Sequence, residues 1–216
     1  METALTISEK PLLRGVSHEF AFFVALGASG VLVAFAPFGK GTAAAAVYGG
    51  TLMFMLGASA LYHRLPAAQS VKVWLERMDH SAIFVFIAGT YTPFCLVIGS
   101  QGTLLLSTIW AAAALGVARA LFWVGAPRAL SVALYLLVGW AVVPFLPALW
   151  RAIGPSGVVL LAIGGGIYSA GAVVFALKRP NPFPGVFGFH EVFHAAVILA
   201  SALHFVAVAR AITHLS

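Results

Sequence analysis

Charge is what this chain has least of. Of its 216 residues 8% are Asp, Glu, Lys or Arg, against 62% hydrophobic, and the mean hydropathy is +1.02. A soluble domain carries about 25% charged residues, so this composition cannot cover a water-facing surface. It suits a bilayer. Acidic residues are scarcest, six against twelve basic, for a net charge of +6. A basic balance often marks a nucleic-acid partner, but in so apolar a chain it reads as Lys and Arg gathered in cytoplasmic loops, and no nucleic acid is expected. Cysteine is almost missing too. Cys95, the only one, excludes an intrachain disulfide and lies in an apolar run, where it packs as a small hydrophobe. No secretory leader is evident, since the first seventeen residues are polar and mixed in charge. The apolar stretch behind them is span-length rather than a short h-region, so a retained N-terminus is expected.

What the chain has is long apolar runs. Crossing the hydrocarbon core takes about 20 residues of helix. Seven stretches qualify: 19–38, 43–62, 81–99, 103–124, 129–149, 156–177 and 187–209. Connections between them are too short for a soluble domain. The expected architecture is an all-α membrane protein, a bundle of seven transmembrane helices over 19–216 behind a cytoplasmic N-terminal segment, 1–18. Gly and Ala recur inside the spans, as in "AIGGGIYSAGA" at 162–172, where helix backbones approach closely. Pro93, Pro144 and Pro147 predict kinks in the third and fifth spans. Loop charge predicts the orientation. With the N-terminus inside, the cytoplasmic face receives Lys10, Arg14, Arg64, Lys72, Arg77, Arg119, Arg128, Lys178 and Arg179, and the other face Lys40, Arg151 and Arg210. Nine against three is a positive-inside bias, so after seven crossings the C-terminus is external.

The stretch "FGFHEVFHAAVILASALHF" at 187–205 contains the lettering of a zinc-protease helix, H-E-x-x-H, inside an apolar span. The predicted topology makes it more informative. The second span ends on the cytoplasmic face with "SALYHR", placing Ser59 and His63 there. The third starts from that face with "RMDHSAIF", bringing Asp79 and His80 to the same depth, and the seventh starts there with His190 and His194. Residues four apart share a helix face, about 5–6 Å between Cβ atoms, so His190 and His194 can face one ion, and Ser59 stacks on the face of His63. Three imidazoles with one position left open make a familiar catalytic zinc arrangement, and His63 is the one strong candidate for the third. Asp79 is either a direct ligand or the group that holds the water, as orienter or general base.

The remaining histidines read more plainly. His18, His204 and His214 fit interfacial positions. His204 follows His194 by ten residues, about 280° round the helix, so it faces elsewhere. His80 reads as a packing or hydrogen-bonding residue, because its neighbour Asp79 points to a different side. A protease is disfavoured: zincins use the intervening Glu as base and take a third ligand downstream, but no carboxylate follows His194 here. Glu191 either flanks the site or, the better reading, pairs with a basic residue at the cytoplasmic end.

"SALYHR", "RMDHSAIFVFIAGTYTPF" and "FGFHEVFHAAVILASALHF" resemble, in order and placement, the signature segments of the hemolysin III proteins. These belong to the progestin and adipoQ receptor family, with the adiponectin receptors. The resemblance covers nearly the whole chain, and "HEVFH" is the kind of lettering that bacterial members carry. It implies a seven-helix bundle with a cytoplasmic N-terminus, in the plasma membrane, here a bacterial inner membrane. It implies Zn2+ held by His63, His190 and His194, with Asp79 on the zinc-bound water and Ser59 one turn before the first histidine. Its relatives, the adiponectin receptors and alkaline ceramidases, are linked to hydrolysis of lipid amides such as ceramide, and bacterial members to cytolysis and membrane lipid homeostasis. Two classes of function follow. One is a zinc-dependent intramembrane hydrolase of lipid amides or esters, with Asp79 and Ser59 catalytic and, as partner, a membrane lipid, either ceramide-like or a free fatty acid. The other is a receptor, lipid sensor or membrane-perturbing protein in which zinc is structural. No oligomeric state follows from the pattern.

Overall fold

A computed structural model describes residues 11–123 and 125–215. Lys10, counted above in the charge bias, Val124 and most of the 1–18 segment's residues lie outside them. The chain is all-helical, and its only strand-like pairing among the described residues is an isolated bridge between Phe183 and Phe187. In order come α1 (Val16–Phe35), α2 (Lys40–Arg64), α3 (Gln69–Val97), α4 (Ser100–Phe122), α5 (Arg128–Gly139), a 3-10 turn (Trp140–Phe145), α6 (Leu146–Leu177) and α7 (Phe189–Thr213).

Among the described residues, six helices are long and apolar enough to cross a membrane, where the sequence predicts seven. The difference has one source. The runs expected at 129–149 and 156–177 form a single 50-residue helical stretch, Arg128–Leu177. Its regularity fails at Gly154, whose φ of 72° and ψ of 173° are non-helical and open only to a residue without Cβ. Trp140 Nε1 donates to Ser169 Oγ at 3.0 Å across that point, so the stretch folds back on itself there. The three prolines expected to kink helices fall in different settings. α3 runs through Pro93, Pro144 falls in the 3-10 turn, and Pro147 sits in the first turn of α6, where its missing N–H costs nothing.

Helix ends also exceed the apolar runs. α3 starts at Gln69 rather than 81, because the polar stretch "QSVKVWLERMDH" is helical as well. This polar lead-in carries Asp79 into the bundle. Consecutive helices pack as neighbours, α1 on α2, α2 on α3, α3 on α4, while α7 lies along α6 and also touches α1, α2 and α3. On α2 the buried residues Ala45, Tyr48, Leu52, Met55 and Ser59 recur every three or four positions, a single inward stripe that His63 continues. On α7 His194, Val197, Ser201 and Val208 trace the same pattern. Large side chains such as Phe20, Phe23, Leu104, Leu115 and Leu137 stand exposed on the outside, as a lipid-facing surface requires. α2 and α3 approach so closely that a Cβ on Gly89 would lie 1.9 Å from Thr51 Oγ1.

Candidate metal centre

His63 closes the inward stripe of α2, and His190 and His194 occupy successive turns at the start of α7. The tertiary fold brings these two helix ends together. One ligand atom from each of the three imidazoles lies within 4.8 Å of the others. His63 Nε2 and His190 Nε2 are 3.1 Å apart. A tetrahedral ion with Zn–N bonds of about 2.0–2.1 Å needs nitrogens about 3.3 Å apart, so that pair nearly matches and the third must close by at most about 1.5 Å. The rings also converge rather than stack, with planes at 83° for His63 and His190 and 71° for His190 and His194. Nδ1 of His194 is buried without a hydrogen bond among the described residues. Leaving a polar atom in that state costs about 1–3 kcal/mol, which coordination can offset. The donor set therefore fits a divalent ion of the zinc kind.

Asp79, from α3, stands beside this cluster. Its Oδ2 is 3.9 Å from His63 Nε2, and the hydroxyl of Ser59, a residue 3% exposed, lies beside its carboxyl. All five residues predicted for the site thus meet at one end of the bundle. His80 does not join them; its backbone carbonyl accepts a bond from Tyr135 Oη at 3.4 Å. His204 faces α6, with Nε2 3.2 Å from the Leu161 carbonyl and its ring against Tyr168. It is a packing residue between helices rather than an interfacial one. His214 caps α7 and is exposed.

Glu191 turns away from the cluster. It forms a partly buried ion pair with Arg14, and its Oε2 accepts the Gly188 N–H at 2.7 Å, capping α7. The pairing role expected for it holds, and the base of a zincin is not arranged here. His18 overturns its sequence reading. Far from interfacial, it is 2% exposed and its ring lies on that of His194. The sequence carries a signal for this: α1 starts at the same end of the bundle as α3 and α7, so a histidine in its first turn lies at the depth of Asp79 and His190. Surface clefts lie elsewhere, one beside Lys40 and Cys95 at the far end of α2 and one between α3 and α4 around Val85 and Trp110.

The family model described as haemolysin-III related matches residues 7–205, a range that takes in every residue of this cluster. The chain belongs to the haemolysin-III-related family. It is 34% identical over 161 residues to a protein named Hemolysin-3 homolog of Bacillus subtilis (strain 168), covering 74% of this chain and 72% of the relative. To a protein named Hemolysin-3 of Bacillus cereus it is 31% identical over 203 residues, covering 91% and 89%. With several helices able to cross a bilayer, this haemolysin-III-related chain is a multi-pass membrane protein.

Proposed function

We propose that this protein is a zinc-dependent intramembrane hydrolase of lipid amides or esters, ceramide-like in class, in a bacterial plasma membrane. The observation that carries the reading is the meeting of three imidazoles with a carboxyl–hydroxyl pair, Asp79 and Ser59, at one end of an apolar bundle. When bound, the ion supplies a Lewis acid that polarises a carbonyl and acidifies water to a pKa of about 7. The chain's own residues do the rest. Asp79 accepts the proton of the attacking water and passes it to the departing amine or alcohol, and Ser59 hydrogen-bonds the water or the developing oxyanion. The lipid-facing bundle admits an acyl chain from the bilayer.

In this reading the chain crosses the membrane seven times, with the N-terminus cytoplasmic and the C-terminus external. A 50-residue helix would span about 75 Å, more than twice the roughly 30 Å hydrocarbon core. The Trp140–Ser169 bond supports a hairpin with two crossings instead. The nine-to-three distribution of basic residues supports the orientation.

A second reading draws on the placement of Asp79 and on the relatives' name. At 3.9 Å from His63 Nε2 it is also placed to become a fourth ligand, which would make the site closed and the ion structural, as in a membrane-perturbing protein or lipid sensor. Asp79→Asn separates the two. A hydrolase keeps its zinc through three histidines and loses turnover of ceramide-like lipids by about 10²–10⁴-fold, the usual worth of a general base. Zinc lost and melting temperature lowered, with a wild type inert on every lipid, overturns the hydrolase reading.

A further inference from the structure

One buried histidine at the cluster has no role in the metal reading. His18 is 2% exposed in the first turn of α1, and its ring lies flat on His194, centroids 3.8 Å apart and planes 10° from parallel. The His194 backbone faces it without meeting hydrogen-bond geometry, and both its ring nitrogens are unpaired among the described residues. What His18 presents to the cluster is therefore the face of its ring rather than its nitrogens.

Its geometry is not that of a ligand. Lone pairs of imidazole lie in the ring plane, so two rings sharing one ion must have planes that converge on it, as those of His190 and His194 do at 71°. Nearly parallel rings direct their lone pairs side by side, and His18 falls outside the group of mutually close ligand atoms. What the stack does supply is a flat wall that leaves the His194 ring one plane.

The wall is itself anchored to both ligand helices. Leu12 and Leu13 N–H donate to the Gly185 and Val186 carbonyls at 3.0 and 3.2 Å, in the loop leading to α7. Arg14 is tied to Glu191 on α7 itself. Gly15, with φ of 81°, lies so close to α2 that a Cβ on it would stand 2.5 Å from His63 Cβ. The strap 11–18 therefore holds His18 in a fixed relation to the ends of α2 and α7.

We infer that His18 is a positioning residue of the metal centre, whose stacked ring fixes the plane in which His194 presents its nitrogen to the ion. The inference rests on the metal reading above. The test is Zn2+ affinity by chelator competition, together with the Co2+ absorption spectrum, on the purified full-length protein in detergent. His18→Ala removes the wall, and affinity falls about 10- to 100-fold, as when a metal-bound histidine loses an outer partner. The Co2+ bands shift with it. His18→Phe keeps a flat ring without nitrogens and returns both readouts close to wild type. Should the alanine protein not fold, His18→Leu, which fills the volume without a planar face, takes its place. His204→Ala, a histidine remote from the cluster, leaves both readouts unchanged. Wild-type affinity and spectrum in His18→Ala (or Leu) overturn the inference. So does metal loss in His18→Phe as deep as in His18→Ala, which would make the nitrogens the working atoms. A wild type that binds neither ion overturns the metal reading itself, a failure distinct from either.

Discussion

Replacing Glu191 with alanine removes a buried carboxylate that contacts Arg14 and the Gly188 N–H and, on the geometry, not the metal cluster. Its side chain is 2% exposed and that of its partner Arg14 18%. Breaking a buried ion pair by deleting one member costs about 3–5 kcal/mol, because the other charge is stranded. Water can reach Arg14 in part, which puts the expected cost at the lower end, about 3 kcal/mol. The freed Gly188 N–H at the head of α7 adds about 1 kcal/mol. For a chain of this length each kcal/mol moves the melting temperature by about 2–4 °C, so the total of about 4 kcal/mol predicts a drop of roughly 8–16 °C. Thermal unfolding in detergent, followed by circular dichroism, reads it directly. Below the transition, zinc content should stay at the wild-type value. Arg14→Ala with Glu191→Ala should recover part of the loss, since no lone buried charge remains, and the double-mutant cycle gives the coupling. An unchanged melting temperature with abolished lipid turnover would refute the structural assignment and make Glu191 the base that its H-E-x-x-H lettering suggests.

Single substitutions His63→Ala, His190→Ala and His194→Ala should each strip the metal while His204→Ala keeps it; full occupancy in all three variants means that the ligands are others. Gly15→Ala should destabilise the protein by more than the roughly 1–3 kcal/mol of backbone strain at positive φ, because its Cβ would also strike His63. It should weaken zinc binding as well, and normal melting and affinity would show that the strap does not press on the site. Reporter fusions at residues 1 and 216 should report opposite sides of the membrane, cytoplasmic for the first. Both on one side refutes an odd number of crossings, and reversed signals refute the orientation.

The sequence by itself determined the solvent and most of the residues that gather at one end of the bundle. A chain with 8% charge and repeated runs of about 20 apolar residues has no water-soluble solution, and within a bilayer its backbone must be helical. The few ionisable residues inside those runs are costly enough that their coincidence at one depth was informative, and so Ser59, His63, Asp79, His190 and His194 could be named together. Helix periodicity put each pair on one face without any knowledge of neighbours. Where helices begin was less legible, since hydropathy reports where side chains partition and not where the backbone stops hydrogen-bonding; α3 consequently starts twelve residues early. The single stretch Arg128–Leu177, folded back at one glycine, was hidden for the same reason, as its apolar content hardly changes through the break.

Tertiary structure alone decided which groups touch. The helical position of Glu191 is compatible with facing either the ion or an arginine, and the path of residues 11–15 across the end of the bundle gave it Arg14. His18 looked like any histidine at a helix end until α1 was packed against α7, which laid its ring on His194. Lateral order in a bundle depends on side-chain fit between helices remote in sequence, as where Gly89 admits Thr51, and no periodicity along one helix encodes the identity of its partner.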